Sequence, residues 1–148
     1  MKQQIREQKL KERSYTSIAQ YYKLNNEFNK NLNKFITDNY NLFKDKSIGY
    51  YKSIKKEPDI QFKVDGFKIS QYGKITNEKY DVLFIPCVSF NTDKYRIGYG
   101  KGYFDKYLQN KTDIITIGCC WNNLKSEFEN EEHDIKLHYI LTENKIYV

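Results

Sequence analysis

The sequence predicts an α/β protein whose mostly parallel sheet is flanked by helices. Apolar residues recur every three or four positions through the first third of the chain, a spacing typical of amphipathic helices. Short β-prone runs follow, and the run at 81–86 is apolar throughout, as in strands that are buried on both faces of a parallel sheet. A length of 148 residues suits one core, so residues 1–148 are expected to form a single domain.

Residues 1–44 are expected to form two helices rich in lysine and arginine. The first is short and presents a strongly basic side beside a narrow apolar stripe. The second extends from Thr16 to about Phe43, where apolar residues continue at three- and four-residue steps. Ser14 and Thr16 are the candidate caps of this second helix, since their hydroxyls can accept a hydrogen bond from its first amides.

The sheet is expected within residues 45–148, in strands at 47–51, 67–70, 81–86, 114–118, 139–142 and 145–148. Between the third and fourth strands, a glycine-rich segment leads into a helix near Gly102. The order strand, loop, helix, strand is that of a right-handed βαβ unit. Ligands of open α/β sheets bind beyond the carboxyl ends of the strands, so the loop after Ile85 is the predicted site.

The net charge of +6 is compatible with several polyanionic partners. Nucleic acid, acidic lipid, nucleotide phosphates and a polyglutamylated ligand would each be attracted, and charge alone does not choose among them. No run approaches the roughly 20 apolar residues of a membrane span, and the polar N-terminus lacks the apolar stretch of a secretory signal. A cytoplasmic protein without a membrane partner is therefore expected.

Three cysteines, Cys87, Cys119 and Cys120, do not have the spacing of zinc ligands to His133 or His138. In a cytoplasmic protein these cysteines are expected to be reduced and partly buried. His133 is expected to be structural or exposed rather than a general base.

Three glycines alternate with other residues in Arg-Ile-Gly-Tyr-Gly-Lys-Gly, at positions 96–102. This spacing allows a tight turn and lets backbone amides approach phosphate oxygens, although it is neither a Walker A loop nor the usual dinucleotide fingerprint. Arg96 and Lys101 can neutralise a polyphosphate, and a helix that begins near Gly102 adds a partial positive charge. From the glycines alone, a plain tight turn explains the pattern equally well.

A longer segment around this loop resembles the signature of the 5-formyltetrahydrofolate cyclo-ligase family, also called methenyltetrahydrofolate synthetases. The family pattern is an apolar strand ending in Pro-Gly-Val-Ala-Phe-Asp, followed by Arg-Leu-Gly-x-Gly-x-Gly-Tyr-Tyr-Asp. Here the strand ends in Pro-Cys-Val-Ser-Phe-Asn at 86–91, and Arg-Ile-Gly-Tyr-Gly-Lys-Gly-Tyr-Phe-Asp follows at 96–105. Residues 2–6 resemble the family's N-terminal Lys-x-x-Leu-Arg helix, and residues 132–143 resemble its closing segment.

The resemblance implies a three-layer, Rossmann-like α/β fold and an ATP-dependent ligase. The implied reaction converts 5-formyltetrahydrofolate, with ATP and Mg²⁺, into 5,10-methenyltetrahydrofolate, ADP and phosphate. A formamide carbonyl is a poor electrophile, so the family is understood to phosphorylate the formyl oxygen before N10 closes the ring. Such phosphoryl transfer depends mainly on positioning and charge neutralisation. A monomer or weak dimer is expected.

The resemblance also implies roles for individual residues, with Arg96 and Lys101 as the catalytic cations. Asp105 and Asp134 are the expected magnesium ligands, because hard carboxylate oxygens suit that ion. The expected nucleotide contacts are Lys2, Arg6, Arg96, Gly98, Tyr99, Gly100, Lys101, Gly102, Tyr103 and Asp105. The expected folate contacts are Tyr50, Glu57, Phe90 and Trp121. For the three aromatic residues in that set, core packing is the alternative.

Simpler roles stay open for several of the charged residues. Lys2 and Glu57 can be interpreted as solvent-exposed side chains. Asp105 can serve the start of a helix, and Asp134 can lie in a surface turn.

Two departures from the family pattern keep alternative functions open. The stretch at 58–79 is much shorter than the corresponding part of the family, and Cys87 and Asn91 stand where a glycine and an aspartate are expected. One alternative is a nucleotide-binding paralogue with another substrate. The other is a basic nucleic-acid-binding module without catalysis, whose aromatic residues would stack on bases. Nucleic acid is the less favoured partner, because that interpretation leaves the loop at 96–105 unexplained.

Overall fold

Helices and strands follow one another largely as the sequence predicts. The computed structural model describes residues 1–73 and 79–148. The helices are α1 (Lys2–Ser14), α2 (Ile18–Asp38), α3 (Tyr40–Phe43) and α4 (Tyr103–Leu108), with a 3₁₀ turn at Asn122–Leu124. The strands are β1 (Ser47–Tyr50), β2 (Lys68–Gln71), β3 (Val82–Pro86), β4 (Ser89–Phe90), β5 (Arg96–Ile97), β6 (Ile115–Cys119), β7 (Tyr139–Leu141) and β8 (Ile146–Tyr147).

The main sheet has the strand order β2-β1-β3-β6-β7-β8. Each neighbouring pair is parallel except β7 and β8, which are antiparallel. The longest pairing joins β3 to β6, from Val82 opposite Ile115 to Pro86 opposite Cys119. Both strands are buried because helices and loops cover both faces of a parallel sheet. The mostly parallel α/β fold that the sequence predicts is confirmed.

Helix α2 is the principal helix of the core. Its apolar row of Phe28, Leu32, Phe35 and Ile36 is buried at the three- and four-residue spacing of one helical face. The ring of Phe35 contacts those of Phe43 and Tyr139, so this helix packs directly onto the sheet.

The ends of α2 correct two expectations from the sequence. Its N-terminal cap is Ser17, whose Oγ accepts a hydrogen bond from the Gln20 amide at 3.1 Å, and not Ser14 or Thr16. Ser14 instead belongs to α1. The helix also ends at Asp38 rather than near Phe43, because the backbone of Asn39 is not helical, with φ −121° and ψ 41°, and its side-chain amide donates to the Phe35 carbonyl.

A second row of α2, formed by Asn25, Asn29 and Asn33, binds the extended backbone at 59–63. The asparagine oxygens accept from the amides of Asp59, Gln61 and Lys63, each at 2.7 Å. The Nδ2 atoms of Asn29 and Asn33 donate to the carbonyls of Asp59 and Gln61, at 2.8 and 3.0 Å. We call this row the asparagine ladder. It satisfies alternate backbone groups as a neighbouring strand would, and it holds the segment that carries Glu57. The remainder of the stretch 58–79 includes residues 74–78, which lie outside the described ranges.

A two-stranded antiparallel hairpin of β4 and β5 follows β3, and its second strand begins the glycine-rich stretch at 96–102, which we call the glycine loop. The sequence analysis did not predict this hairpin. Val88, Ile97 and Phe128 form a small apolar cluster around this hairpin, separate from the main core. Ile5 and Leu10 of α1 pack against the same cluster. The hairpin therefore connects the N-terminal helix to the strand that begins the glycine loop.

The three cysteines are free and buried, and burial raises the pKa of the thiols of Cys87, Cys119 and Cys120. They are more deeply buried than the sequence suggested. Within residues 1–73 and 79–148, no three His, Cys, Asp or Glu side chains are grouped as metal ligands. Over the same ranges, the structure contains no helix with the length and apolar character of a membrane span.

Candidate active site

A cavity of about 720 Å³ lies where α1, the glycine loop and the 131–134 turn meet. Arg96 forms part of its wall and donates from Nη2 to the carbonyl of Pro86, the last residue of β3, at 2.9 Å. The cavity is therefore at the carboxyl end of a central strand, as the sequence predicts. It is lined by Lys2, Arg6, Ile54, Lys55, Arg96, Ile97, Gly98, Tyr99, Gly100, Lys101, Gly102, Tyr103, Phe104, Asp105, Lys106, Gln109, Glu131, His133 and Asp134.

The structure brings every expected nucleotide contact and both expected magnesium ligands to this one cavity. These residues come from three separate parts of the sequence, around positions 2–6, 96–105 and 134. Six of the cavity residues carry positive charge, namely Lys2, Arg6, Lys55, Arg96, Lys101 and Lys106. A concave wall with several cations and glycine amides can bind a polyphosphate.

Two glycines of the loop lie directly against arginine side chains. A Cβ atom on Gly98 would stand 2.4 Å from Nη2 of Arg96, so no larger residue fits there without moving the guanidinium. Gly100 has a φ of 92° and its Cβ position lies 3.2 Å from the guanidinium of Arg6. Arg6 also donates from Nε to the Gly98 carbonyl at 2.7 Å. The small residues thus allow two cations to be held on the loop itself.

Lys2 and Asp134 form an ion pair at the edge of the cavity, with the Lys2 ammonium donating to Oδ2 of Asp134. The same carboxylate oxygen accepts from the Glu131 amide at 2.7 Å. Burial raises the pKa of Asp134, but the hydrogen bonds from Lys2 and from the amide outweigh it, so the pKa is below its usual value. Lys2 and Asp134 are thus not simply solvated surface residues. His133 beside them is largely exposed, in agreement with the sequence.

Two carboxylates of the cavity can contribute to a magnesium site. Asp105 lies in the first turn of α4, and Asp134, which also lines the cavity, is paired with Lys2. Mg²⁺ commonly takes only one or two protein carboxylates and completes its shell with phosphate oxygens and water. The donor set therefore fits Mg²⁺ bound together with a polyphosphate.

Glu57 is buried, at 2% exposure, and not the exposed residue that was one interpretation of the sequence. Its Oε1 accepts from the Ile54 amide at 2.9 Å, and its Oε2 accepts from the Tyr99 hydroxyl at 3.1 Å. Burial raises its pKa, and the Ile54 amide, the charge of Arg13, the Tyr99 hydroxyl and the charge of Arg96 act in the opposite direction. Glu57 lies behind the cavity wall, connected to it through Tyr99.

Arg13 is part of this arrangement, although sequence analysis did not identify it. Its Nη2 donates to the Tyr99 hydroxyl at 2.5 Å, and its side chain is only 2% exposed. A signal was present in the composition, because the chain contains three arginines among 25 basic residues. All three, Arg6, Arg13 and Arg96, contact the glycine loop. Where lysine is the rule, a retained arginine indicates a need for its planar, many-donor group.

The aromatic residues expected at the folate do not line the cavity. Trp121 is 2% exposed, packs edge-on against Tyr21 and Phe28, and donates from Nε1 to the Lys56 carbonyl at 2.8 Å. Phe90 is fully buried against Tyr147. Neither ring has a face free for stacking on a substrate, so both take the core-packing role that was the alternative. Tyr50 is half-buried and packs against Phe62 at 5.2 Å between ring centroids.

The family model of the 5-formyltetrahydrofolate cyclo-ligase family matches residues 67–143, which is more than half of the chain. The chain belongs to this family of enzymes. The matched residues run from the start of β2 to just past β7 and include the hairpin and the glycine loop. The cyclo-ligase resemblance noted from the sequence is thus confirmed.

Two known cyclo-ligases are similar to the chain, one over nearly its whole length and the other over about half of it. A 5-formyltetrahydrofolate cyclo-ligase of Mycoplasma pneumoniae is 29% identical over 96% of the chain and 98% of its own length. Another, of Mycoplasma genitalium, is 35% identical over 53% of the chain and 50% of its own length.

Solved structures agree with this placement in the cyclo-ligase family. A 5,10-methenyltetrahydrofolate synthetase of Mycoplasma pneumoniae superposes with a TM-score of 0.78 and 27% identity, covering 96% of this chain and 98% of that one. A synthetase of Aquifex aeolicus superposes with a TM-score of 0.75 over 98% of this chain and 91% of that one. At 19% identity the second comparison concerns the fold alone.

Proposed function

We propose that this cyclo-ligase converts 5-formyltetrahydrofolate, with Mg²⁺ and ATP, into 5,10-methenyltetrahydrofolate, ADP and phosphate. The observation that carries the proposal is that one cavity is lined both by cations from α1 and the glycine loop and by the carboxylates of Asp105 and Asp134. Its relatives named as 5-formyltetrahydrofolate cyclo-ligase and 5,10-methenyltetrahydrofolate synthetase support the choice of substrate.

The proposed reaction has two stages. In the first, the formyl oxygen attacks the γ-phosphorus of ATP, and the bond from that phosphorus to the bridging oxygen of ADP breaks. In the second, the N10 electron pair attacks the activated formyl carbon, phosphate leaves with the formyl oxygen, and N10 gives up its proton. The product carries the one-carbon bridge between N5 and N10.

The residues of the chain contribute position and charge rather than covalent chemistry. Arg96 and Lys101 neutralise charge that builds on the transferring phosphoryl group. Lys2 and Arg6 bind other phosphate oxygens, and Arg6 is already oriented by its bond to the Gly98 carbonyl. The amides of the glycine loop donate to the same oxygens.

Asp105 and Asp134 would hold Mg²⁺ at this cavity. When bound, Mg²⁺ draws charge from the phosphate oxygens and fixes their orientation. Lys2 and the Glu131 amide occupy Oδ2 of Asp134, so Oδ1 is the atom that would be offered to the metal.

Glu57 and Tyr50 are proposed for the folate side of the site. The carboxylate of Glu57 can accept hydrogen bonds from the pterin or orient N5 once the wall formed by Tyr99 and Ile54 adjusts. Tyr50 follows Gly49 on β1, the strand beside β3. Of the three aromatic residues expected at the folate, Tyr50 is the one whose side chain is only half-buried.

The decisive experiment is turnover of 5-formyltetrahydrofolate with Mg·ATP, followed by the absorbance of the methenyl product. Asp105→Asn is expected to lower kcat/KM for Mg·ATP by about tenfold or more, since it removes a charge from the metal site. Its thermal midpoint should stay close to that of the wild type. Asp113→Asn is the matched control, because Asp113 is exposed and does not line the cavity.

Two outcomes of this experiment, and one result with the further variant Lys101→Ala, can be told apart. Absence of product at high concentrations of the folded wild-type protein would reject the reaction. Turnover by Asp105→Asn equal to that of Asp113→Asn would remove Asp105 from the metal site while leaving the reaction in place. A wild-type apparent affinity for ATP in Lys101→Ala would likewise defeat the phosphate role of Lys101.

A further inference from the structure

The three arginines of the chain are placed around one short turn of the cyclo-ligase loop. Arg6 donates to the Gly98 carbonyl, and Arg96 lies over Gly98. Arg13 contacts Tyr99, the residue between the two glycines at 98 and 100. Arg6 and Arg96 line the cavity, whereas Arg13 does not. Arg13 therefore requires an explanation other than direct contact with a phosphate.

The neighbours of Arg13 show which groups compensate its positive charge. Nη2 donates to the Tyr99 hydroxyl at 2.5 Å, and the guanidinium carbon lies 5.7 Å from the centre of the Tyr99 ring. Tyr99 in turn donates to Oε2 of Glu57 at 3.1 Å. The other terminal nitrogen of Arg13, Nη1, is buried and has no hydrogen-bond partner among the described residues.

A buried cation is tolerated only where an opposite charge and hydrogen bonds compensate it. Glu57 supplies that charge, and the Tyr99 hydroxyl stands between the two groups, accepting from one and donating to the other. The phenol is thus held from both sides. Its two partners come from positions 13 and 57, and the loop comes from position 99, so the arrangement joins three distant parts of the chain.

We infer that Arg13 is a positioning residue of the cyclo-ligase reaction, which acts through the Tyr99 hydroxyl on both the glycine loop and Glu57. This inference rests on the proposed function. The turn at 98–100 presents amides to phosphate, and its shape depends on where the Tyr99 ring is held. Glu57 belongs to the proposed folate side. Arg13 therefore aligns the two substrate regions without touching either substrate.

Arg13→Lys tests the inference, because lysine keeps the charge but lacks the planar fork of donors. The KM for Mg·ATP and the KM for the folate are both expected to rise, and kcat/KM for each should fall by about tenfold, the effect of losing one charged hydrogen bond. A role in stability alone would reduce the amount of active enzyme, which lowers kcat and leaves both KM values unchanged. Lys11→Met is the matched control, since Lys11 is an exposed cation of the same helix.

Tyr99→Phe removes the same hydrogen bond by deleting the hydroxyl that accepts it in the loop. This variant provides a second test of the inference if Arg13→Lys does not fold. Because Arg13 acts through Tyr99, the double variant should be no worse than the poorer single variant. Additive losses, or unchanged KM values in Tyr99→Phe, would overturn the inference in an enzyme that turns over. A wild-type protein without turnover would instead reject the proposed function, and with it the basis of this inference.

Discussion

Glu57 is a carboxylic acid buried in the protein interior. Burial is the largest influence on Glu57 and raises its pKa, although four neighbouring groups favour its ionised form: the Ile54 amide, the Arg13 guanidinium, the Tyr99 hydroxyl and the Arg96 guanidinium. The folded protein therefore binds a proton on Glu57 at pH values where the unfolded chain has released it. Perturbed carboxyl groups of this kind are frequent in active sites, where function outweighs stability.

The pH dependence of stability should reveal this burial. A raised pKa in the folded state means that the free energy of unfolding decreases as the pH rises from about 4.3, the usual glutamate value, through the folded-state pKa. The stability of the wild type relative to Glu57→Gln is thus expected to fall as the pH rises above about 4.3. Urea denaturation across this range measures it. Glu129→Gln, at an exposed position, is the control. A difference between wild type and Glu57→Gln that is constant with pH would contradict the expectation.

The sequence analysis identified the cations that line the cavity, but not Arg13 or the burial of Glu57 behind the cavity wall. The reason is physical. Residues 96–105 carry their signal locally, since alternate glycines and cations are neighbours in the chain. Arg13 and Glu57 acquire their roles only through Tyr99, which is 86 and 42 residues away. No local pattern records such contacts. The scarcity of arginine was the signal that could have singled out Arg13.

Two rows of side chains on α2 perform different tasks. The apolar row fills the core and is visible as helical periodicity. The row of Asn25, Asn29 and Asn33 recurs at four-residue steps and matches the two-residue repeat of an extended segment, because four residues of helix rise about 6 Å and two residues of strand span nearly the same distance. Each asparagine can therefore meet every second backbone unit of residues 59–63.

Removing the middle residue of the asparagine ladder should destabilise the protein measurably. Asn29→Ala leaves the Asp59 carbonyl and the Gln61 amide without these partners, and loss of such buried bonds costs about 1–3 kcal/mol. Urea denaturation at fixed pH is the measurement. Asn26→Ala is the matched control on the exposed side of the same helix, where changes stay within about 0.5 kcal/mol. Equal stability of the two variants would show that the ladder contributes nothing.

The strands of the main sheet were predictable because each contains a run of apolar or β-branched residues between turn residues. The hairpin of β4 and β5 was not, since each of its strands has only two residues and, unlike β8, neither lies in a longer β-prone run. The break between α2 and α3 also escaped prediction. It lies at Asn39, whose backbone is not helical and whose side-chain amide donates to the Phe35 carbonyl, while the apolar spacing continues past it.

At the scale of the whole molecule, the basic N-terminus serves the cavity. Lys2 and Arg6 line it, and Arg13 is buried behind it. A nucleic-acid-binding helix would instead present such residues on an open face. The arrangement thus favours the cyclo-ligase interpretation of the net charge over the nucleic-acid alternative, and steeply salt-dependent binding of single-stranded RNA without turnover would reverse that preference.

The two apolar clusters of the molecule differ in size, and this difference predicts how the protein opens. Helix α2 buries six residues, four of them in the main core. Helix α1 buries only Arg13, and its apolar residues Ile5 and Leu10 reach the small cluster around the hairpin. Elements with few buried apolar contacts open at lower free energy than the rest. Helix α1 should therefore detach while α2 and the sheet stay folded.

Hydrogen exchange on the full-length protein can test this hierarchy and its connection to the site. Amides of α1 are expected to exchange faster than those of α2 and β3. Because α1 contributes Lys2 and Arg6 to the cavity, a nonhydrolysable Mg·ATP analogue should slow exchange in α1 and the glycine loop, by up to about 100-fold at a concentration 100 times Kd. Amides in the distal half of α2 that exchange through local openings independent of the site should change little, whereas amides that open only with the whole protein should be slowed by the same factor. Equal protection of α1 and α2 without ligand would show instead that the two clusters unfold as one unit.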